Sequence, residues 1–350
     1  MSDISKIDKN FAVGSTIDKK GIKFYDAKNE PFAIYGLMYS SGRFHRIPFE
    51  VAENVSEGVK YLNNNTAGGR VRFKTDSPYV AIAVKYYSVS KMPHFAFCGS
   101  MGFDLYDGDR FVKSLVPTIN TQTEFESVLD LGDSKMREIT INLPLYSSIN
   151  EFYVGLDENA KIEQPEPYSN NKPIVYYGSS ITQGGCASRP GTCYQAHISR
   201  RFNKDYINLG FSGNAKAEDA IIDYIKGLEM EVFVYDYDHN APTKEHLRAT
   251  HEKMFLAIRG AHPELPIIIM SRPRNKINRN DDDNMRLEII RATYENAKER
   301  GDENVYFLDG DDLTELCGNE GTVDNCHPTD YGFASMAAAI IKLVERENIF

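Results

Sequence analysis

From about residue 21 to residue 157, apolar and polar positions alternate with a period of two. Val71 and Phe73 alternate with charged residues. After a break at Ser77-Pro78, the alternation resumes in Val80, Ile82, Val84 and Tyr86, then in Ile139, Ile141 and Leu143, and again in Phe152, Val154 and Leu156. One apolar face per strand is the pattern of a half-buried antiparallel strand. Asp107-Gly108, between Phe103-Asp104-Leu105 and Phe111-Val112, predicts a type I′ hairpin turn. Long helical periodicity is nearly absent, so this half predicts a jelly-roll-like β-sandwich.

The rhythm changes after residues 160–172, a polar, proline-bearing stretch that reads as a linker and divides the chain into domains 1–165 and 166–350. Beyond it, short continuous apolar runs at 173–177, 206–209, 232–235, 266–270 and 305–308 predict five buried strands. Helical stretches lie between them, at 194–202 and 218–228, and one ends the chain. One helix carries Leu247, His251, Met254, Phe255 and Ile258 on a single face, and the last carries Phe333, Met336, Ala337, Ile340 and Val344. Alternating strands and helices with wholly apolar strands predict a parallel sheet covered on both faces. The stretch Arg272–Asn284 reads as a polar loop after the fourth strand.

Composition narrows the classes. The apolar fraction of 41% and charged fraction of 26% describe a folded chain rather than a disordered one. No apolar run reaches the ~20 residues of a spanning helix. Residues 1–20 hold no apolar stretch of signal-peptide length, so the expected location is cytoplasmic, or secreted if a leader has been removed. A net charge of -10 without an Arg/Lys block speaks against nucleic acid and anionic membranes as partners. The five cysteines, Cys98, Cys186, Cys193, Cys317 and Cys326, form no C-x2-C pair and read as free thiols. No metal-ligand spacing and no phosphate-binding glycine loop is present, so neither a metal nor a cofactor is expected.

Ligand sites of parallel sheets lie at the carboxyl ends of the strands. The first strand runs into Gly178-Ser179-Ser180-Ile181-Thr182-Gln183-Gly184-Gly185, and the second into Gly210-Phe211-Ser212-Gly213-Asn214. The third ends in Asp236-Tyr237-Asp238-His239-Asn240, and Asp324-Asn325-Cys326-His327-Pro328 precedes the last helix. A serine hydroxyl needs a neighbouring base to become a nucleophile, and His327 is suited to that role. Asp324, three residues upstream, can orient the imidazole. The Ser180 N–H, the Gly213 N–H and the Asn240 side-chain amide are candidate oxyanion donors.

These blocks resemble the SGNH (GDSL-type) hydrolases, named for Ser, Gly, Asn and His in four blocks, which here fall on Ser180, Gly213, Asn240 and His327. More narrowly, the chain is similar to two-domain SGNH esterases with an N-terminal β-sandwich, through Gly178–Gly191, Asn208–Asn214 and, in the first half, Gly102-Phe103-Asp104-Leu105-Tyr106. The resemblance implies a flavodoxin-like three-layer α/β domain with five parallel strands. It also implies carboxylesterase activity, often sugar deacetylation as in carbohydrate esterase family 2. Two blocks depart from the family pattern: Gly-Ser-Ser stands for Gly-Asp-Ser, and Asp236-Tyr-Asp-His-Asn240 for G-x-N-D. Asp236 and Asp238 are therefore polar alternatives to Asn240.

The expected function is a serine esterase acting on small acyl esters, acetyl foremost, of saccharides or small molecules. The alternatives are a lysophospholipase or thioesterase on the same machinery and an inactive glycan-binding protein. Arg189 reads equally as a substrate contact and as a loop ion pair. His239 reads as a pocket wall, and His94 as a sandwich residue that could reach the cleft. Tyr79, Tyr86, Tyr87, Phe95 and Phe97 read as core before they read as a sugar platform.

Overall fold

A computed structural model describes residues 17–350, so the leader expectation lies mostly outside the described residues, at 1–16. The chain divides into two units. The first takes the chain up to His45, Asn64–Pro167 and Ser188–Gly191; the second takes Arg46–Asn63, Tyr168–Ala187 and Thr192–Phe350. Two segments, 46–63 and 188–191, belong to a different unit from the chain on either side of them.

The first unit is built from antiparallel sheets. One runs in the order Ile22–Asp26, Ser148–Asp157, Tyr79–Ser88, Glu124–Asp130. The other runs Ile162–Glu163, Arg70–Thr75, Arg137–Asn142, Phe103–Asp107, Arg110–Leu115, with Ala33–Tyr35 also paired to Arg70–Thr75. The alternating apolar residues of both sheets, among them Phe73, Ile82, Val84, Leu105, Ile141 and Val154, form one buried cluster. Tyr79, Tyr86 and Phe95 are also buried, whereas Tyr87 is exposed with the Arg43 guanidinium over its ring. The hairpin turn is one residue later than predicted. Asp107 pairs with Arg110, and Gly108 alone of the two central residues has positive φ (62°), as in a type II′ turn. Ile162–Glu163, read as linker, pairs with Thr75 and Lys74 and so extends the sheet.

The second unit holds five parallel strands: β1 (Ile174–Gly178), β2 (Tyr206–Gly210), β3 (Val232–Asp236), β4 (Ile267–Met270) and β5 (Val305–Leu308), in the order 2-1-3-4-5. That is the flavodoxin-like order, and its topological switch lies between β1 and β3. Gly178 of β1 is level with Gly210 of β2 and Asp236 of β3, so three carboxyl ends stop in one row. Helices Tyr194–Phe202, Asp219–Ile225, Lys244–Ala261 and Asp330–Glu347 follow the predicted stretches.

The helix Asp281–Glu299 was read partly as polar loop and otherwise passed over. Its buried stripe is Asp283, Arg286, Ile290, Thr293 and Ala297. The spacing is helical, but the residues are mostly polar, so hydrophobic periodicity does not reveal it.

Segment 46–63 carries two short helices, Phe49–Val55 and Glu57–Leu62, whose Ala52, Val59 and Leu62 join the core of the second unit. Arg46 enters that unit fully buried. Its guanidinium donates to the carbonyls of Asn208 (3.3 Å), Gly210 and Leu62 (2.7 Å) and lies 4.5 Å from the Phe211 ring centroid. Two of these carbonyls belong to β2, an edge strand, and among the described residues no other strand pairs on that side. Replacing Arg46 by Leu leaves buried carbonyls without a donor, at about 1–3 kcal/mol each. Arg46→Leu should therefore lower unfolding stability by about 3 kcal/mol or more, read from the urea midpoint. A change below ~1 kcal/mol would show that Arg46 is not needed to satisfy the sheet edge.

Candidate active site

The turn after β1 is held by backbone and side-chain bonds from several elements. The Ser179 hydroxyl accepts from Ile181 N–H (3.1 Å) and caps a four-residue helix, Ser180–Gln183. The Thr182 carbonyl accepts from the amides of Asn208 (2.7 Å) and Gln195 (2.7 Å). The Gln183 side chain accepts from Ser212 N–H (3.0 Å). This helix sits directly on the sheet. A Cβ at Gly210 would lie 2.1 Å from the Gln183 nitrogen, and one at Gly178 would lie 2.0 Å from Asp236 Oδ1 and 2.2 Å from Thr182 Oγ1. Only glycine leaves that room.

Ser180 Oγ lies 2.9 Å from His327 Nε2, and His327 Nδ1 lies 2.7 Å from Asp324 Oδ2. The other Asp324 oxygen accepts from the backbone N–H of Cys326 (3.1 Å) and His327 (2.7 Å). The turn that brings this about places Asn325 in the left-handed region (φ 66°). Burial raises the Asp324 carboxyl, but the His327 N–H and imidazole outweigh it and hold the group below the usual range. Asp324 is therefore an anion at neutral pH, beside Nδ1.

Gly213 adopts φ 69° in an exposed turn, and Asn240 is 8% exposed. The Asn240 amide donates to the Phe211 carbonyl (2.9 Å), which ties the end of β3 to the loop that carries Gly213. His239 packs its Nδ1 3.7 Å from Cys326 Sγ. Burial, then the nearby Arg272 charge, pushes His239 down to about 3, so it is neutral at physiological pH.

Arg189 and His94 lie in the first unit. Arg189 pairs with fully buried Asp104 (2.8 Å), bonds Tyr106 Oη (2.5 Å) and covers the Phe111 ring at 3.9 Å. Asp104 also accepts from Gly191 N–H (2.8 Å). The Gly-x-Asp-Leu-Tyr sequence thus supplies both polar partners of the 188–191 segment, and the ion-pair reading of Arg189 describes its surroundings. His94 is exposed, just before the helical turn Phe97–Ser100.

The sequence reading missed a chain of ion pairs behind the site. Asp238 holds Arg272 in a fork (2.9 and 2.9 Å), and Arg272 reaches Asp283 (2.7 Å). Asp283 also binds Arg274 (2.8 Å), whose other nitrogen donates to the Asn325 carbonyl (3.2 Å), inside the Asp324–His327 turn. The only signal was the polar stretch Arg272–Asn284, which reads as loop because its charges have no visible partners in sequence.

Asp236 has a different environment. It is 4% exposed and accepts from the Thr182 hydroxyl. Its Oδ2 is buried without a hydrogen-bond partner. Burial outweighs the Thr182 hydroxyl and the nearby Ser179 N–H, and with the negative charge of Asp238 it raises the group to about 7. The unfolded value is about 3.9. The folded state therefore binds this proton more tightly, so the group's contribution to stability falls as pH rises from about 4 to about 7. Asp236→Asn should gain melting temperature relative to the parent as pH rises from 5 to 8, with a difference of a few kcal/mol at the upper end. A difference independent of pH, measured by calorimetry, would contradict this.

The comparisons with known proteins fit this geometry. The GDSL-like lipase/acylhydrolase family matches residues 171–345, and the N-terminus of SGNH-hydrolase-type esterases matches residues 22–162. A search of curated proteins gives no match. Among solved structures, a Bacteroides ovatus protein classed as a GDSL-like lipase is 27% identical with a TM-score of 0.83, covering 93% of this chain and 98% of its own. A salicylyl-acyltransferase from a tetracycline biosynthetic pathway is 19% identical with a TM-score of 0.77, over 95% and 99%. A family two carbohydrate esterase from Clostridium thermocellum, in complex with cellohexaose, is 12% identical with a TM-score of 0.62, over 91% and 100%. Among the described residues no helix is long and apolar enough to cross a membrane. With both halves matched and the blocks of the second half gathered at one sheet edge, the chain belongs to the GDSL-like lipase/acylhydrolase family and is an esterase of the SGNH type.

Proposed function

We propose that the enzyme removes small acyl groups, acetyl foremost, from saccharides through a covalent acyl-enzyme on Ser180. The observation that carries this is the line Ser180 Oγ, His327 Nε2, His327 Nδ1, Asp324 Oδ2, with gaps of 2.9 and 2.7 Å. His327 Nε2 takes the Ser180 proton as Oγ attacks the ester carbonyl carbon. The electron pair of the C=O moves to oxygen, and the N–H groups of Ser180 and Gly213 with the Asn240 amide receive that charge. Collapse breaks the C–O bond to the alcohol, which leaves with the proton from Nε2. Water then repeats the sequence and releases the acid. Asp324, held as an anion, keeps Nδ1 protonated and steadies the imidazolium.

A small polar acyl site is supported by the residues at the strand ends, where Gly, Ser, Asn and Asp dominate. The saccharide half is supported by the family two carbohydrate esterase neighbour. The acyltransferase neighbour supports a second reading of the same acyl-enzyme, in which an alcohol other than water takes the acyl group.

Ser180→Ala should reduce kcat on p-nitrophenyl acetate by three or more orders of magnitude with unchanged circular dichroism. Retention of more than about a tenth of the activity would rule out Ser180 as nucleophile. Chain length is the second test. Each added methylene that a pocket accepts contributes about 0.8 kcal/mol, so a lipase gains from acetate to octanoate. This enzyme should lose kcat/KM steeply along that series and should release acetate from acetylated oligosaccharides. Octanoate hydrolysed faster than acetate would favour the lysophospholipase or thioesterase reading.

A further inference from the structure

We propose that Asp236 is the positioning residue of the nucleophile turn: its buried carboxyl holds the Thr182 hydroxyl, two residues after Ser180, and thereby aims Oγ at His327. The inference rests on the reading of Ser180 as nucleophile.

Asp236 ends β3, level with Gly178, the last residue of β1. The Thr182 hydroxyl, two residues after Ser180, donates to the Asp236 carboxyl. Thr182 is itself held by the buried Tyr194, whose hydroxyl donates to Thr182 Oγ1 at 3.5 Å. Gly178 makes this possible, because a side chain there would occupy the space of Asp236 Oδ1 and Thr182 Oγ1.

No stability argument favours a carboxyl at this place. Its second oxygen is buried without a partner, and among the described residues no Lys or Arg is paired with it. Asp238, in the turn Asp238–Asn240 that follows β3, repels it, and the neutral Tyr194 phenol faces it. A buried carboxyl kept in an unfavourable environment is expected where geometry at a reacting group depends on it. A short helix such as Ser180–Gln183 has few internal bonds with which to fix its own orientation, so outside acceptors decide it. A misplacement of about 1 Å at a nucleophile can cost on the order of 100-fold in rate.

The test uses the full chain and four variants. Thr182→Val removes the hydroxyl but keeps the volume, and Thr182→Ser restores it. Asp236→Ala removes the acceptor, and Asp236→Asn keeps one oxygen for the Thr182 hydroxyl. Thr182→Val and Asp236→Ala should lower kcat on p-nitrophenyl acetate by about 10- to 100-fold with KM within about twofold. The rate of covalent labelling by a fluorophosphonate, which reads Ser180 reactivity directly, should fall in parallel. Thr182→Ser and Asp236→Asn should return both rates to within about fivefold of the parent. Thr182→Val with parental kcat and labelling would overturn the proposal, as would an Asp236→Asn as slow as Asp236→Ala. If Asp236→Ala fails to fold, the Thr182 pair decides alone. Ser180→Ala separates the two readings. Labelling that survives in it refutes the nucleophile assignment itself, whereas labelling abolished there but untouched in Thr182→Val refutes only the role of Asp236.

Discussion

At Gly178 and Gly210 the backbone of the parallel sheet comes within bonding distance of the turn that carries Ser180. Cβ atoms there would fall 2.0 Å from Asp236 Oδ1 and 2.1 Å from the Gln183 nitrogen. The close seat lets Asn208 of β2 and Gln195 of the following helix reach the Thr182 carbonyl, and lets Asp236 of β3 reach the Thr182 hydroxyl. Ser180 is thus oriented by three elements that a larger residue at either glycine would push away. The 2.9 Å approach to His327 depends on that seat.

Much of the remaining architecture consists of buried polar groups satisfied by specific partners. Arg46 serves the carbonyls of edge strand β2, Asp104 serves Arg189 and Gly191, and Asp238 serves Arg272. In the second unit such links converge on the loops of the site. The chain from Asp238 through Arg272, Asp283 and Arg274 ends on the Asn325 carbonyl, between Asp324 and His327. Removing one member of such a set leaves its partner charged and buried, which costs more than the pair contributes. That asymmetry fixes the loops in one arrangement.

The elements legible in sequence are those whose buried face is apolar. The five parallel strands and the helix Lys244–Ala261 announce themselves by runs and by period, and the alternating strands of the first unit do the same. The helix Asp281–Glu299 does not, because Asp283, Arg286 and Thr293 fill its inner face. The segment 46–63 was missed for another reason. Helices of seven and six residues are too short for a period to emerge, and their partners lie some 150 residues further along the chain. Ser180, Asp324 and His327, which hydrogen bonds join, could be read together because a parallel sheet brings its carboxyl ends together. Asp236 was visible only as an alternative to Asn240. Its place beneath the turn follows from the level register of Gly178 and Asp236, which no sequence pattern states.

The central claim is that the acyl group passes through Ser180. Mass spectrometry of protein acid-quenched during turnover of p-nitrophenyl acetate tests it most directly. The account predicts one acetyl group on the peptide that contains Ser180, at a level that falls as substrate is exhausted. Turnover with no acyl adduct in a quench fast enough to catch it, or an adduct on a residue other than Ser180, would contradict it.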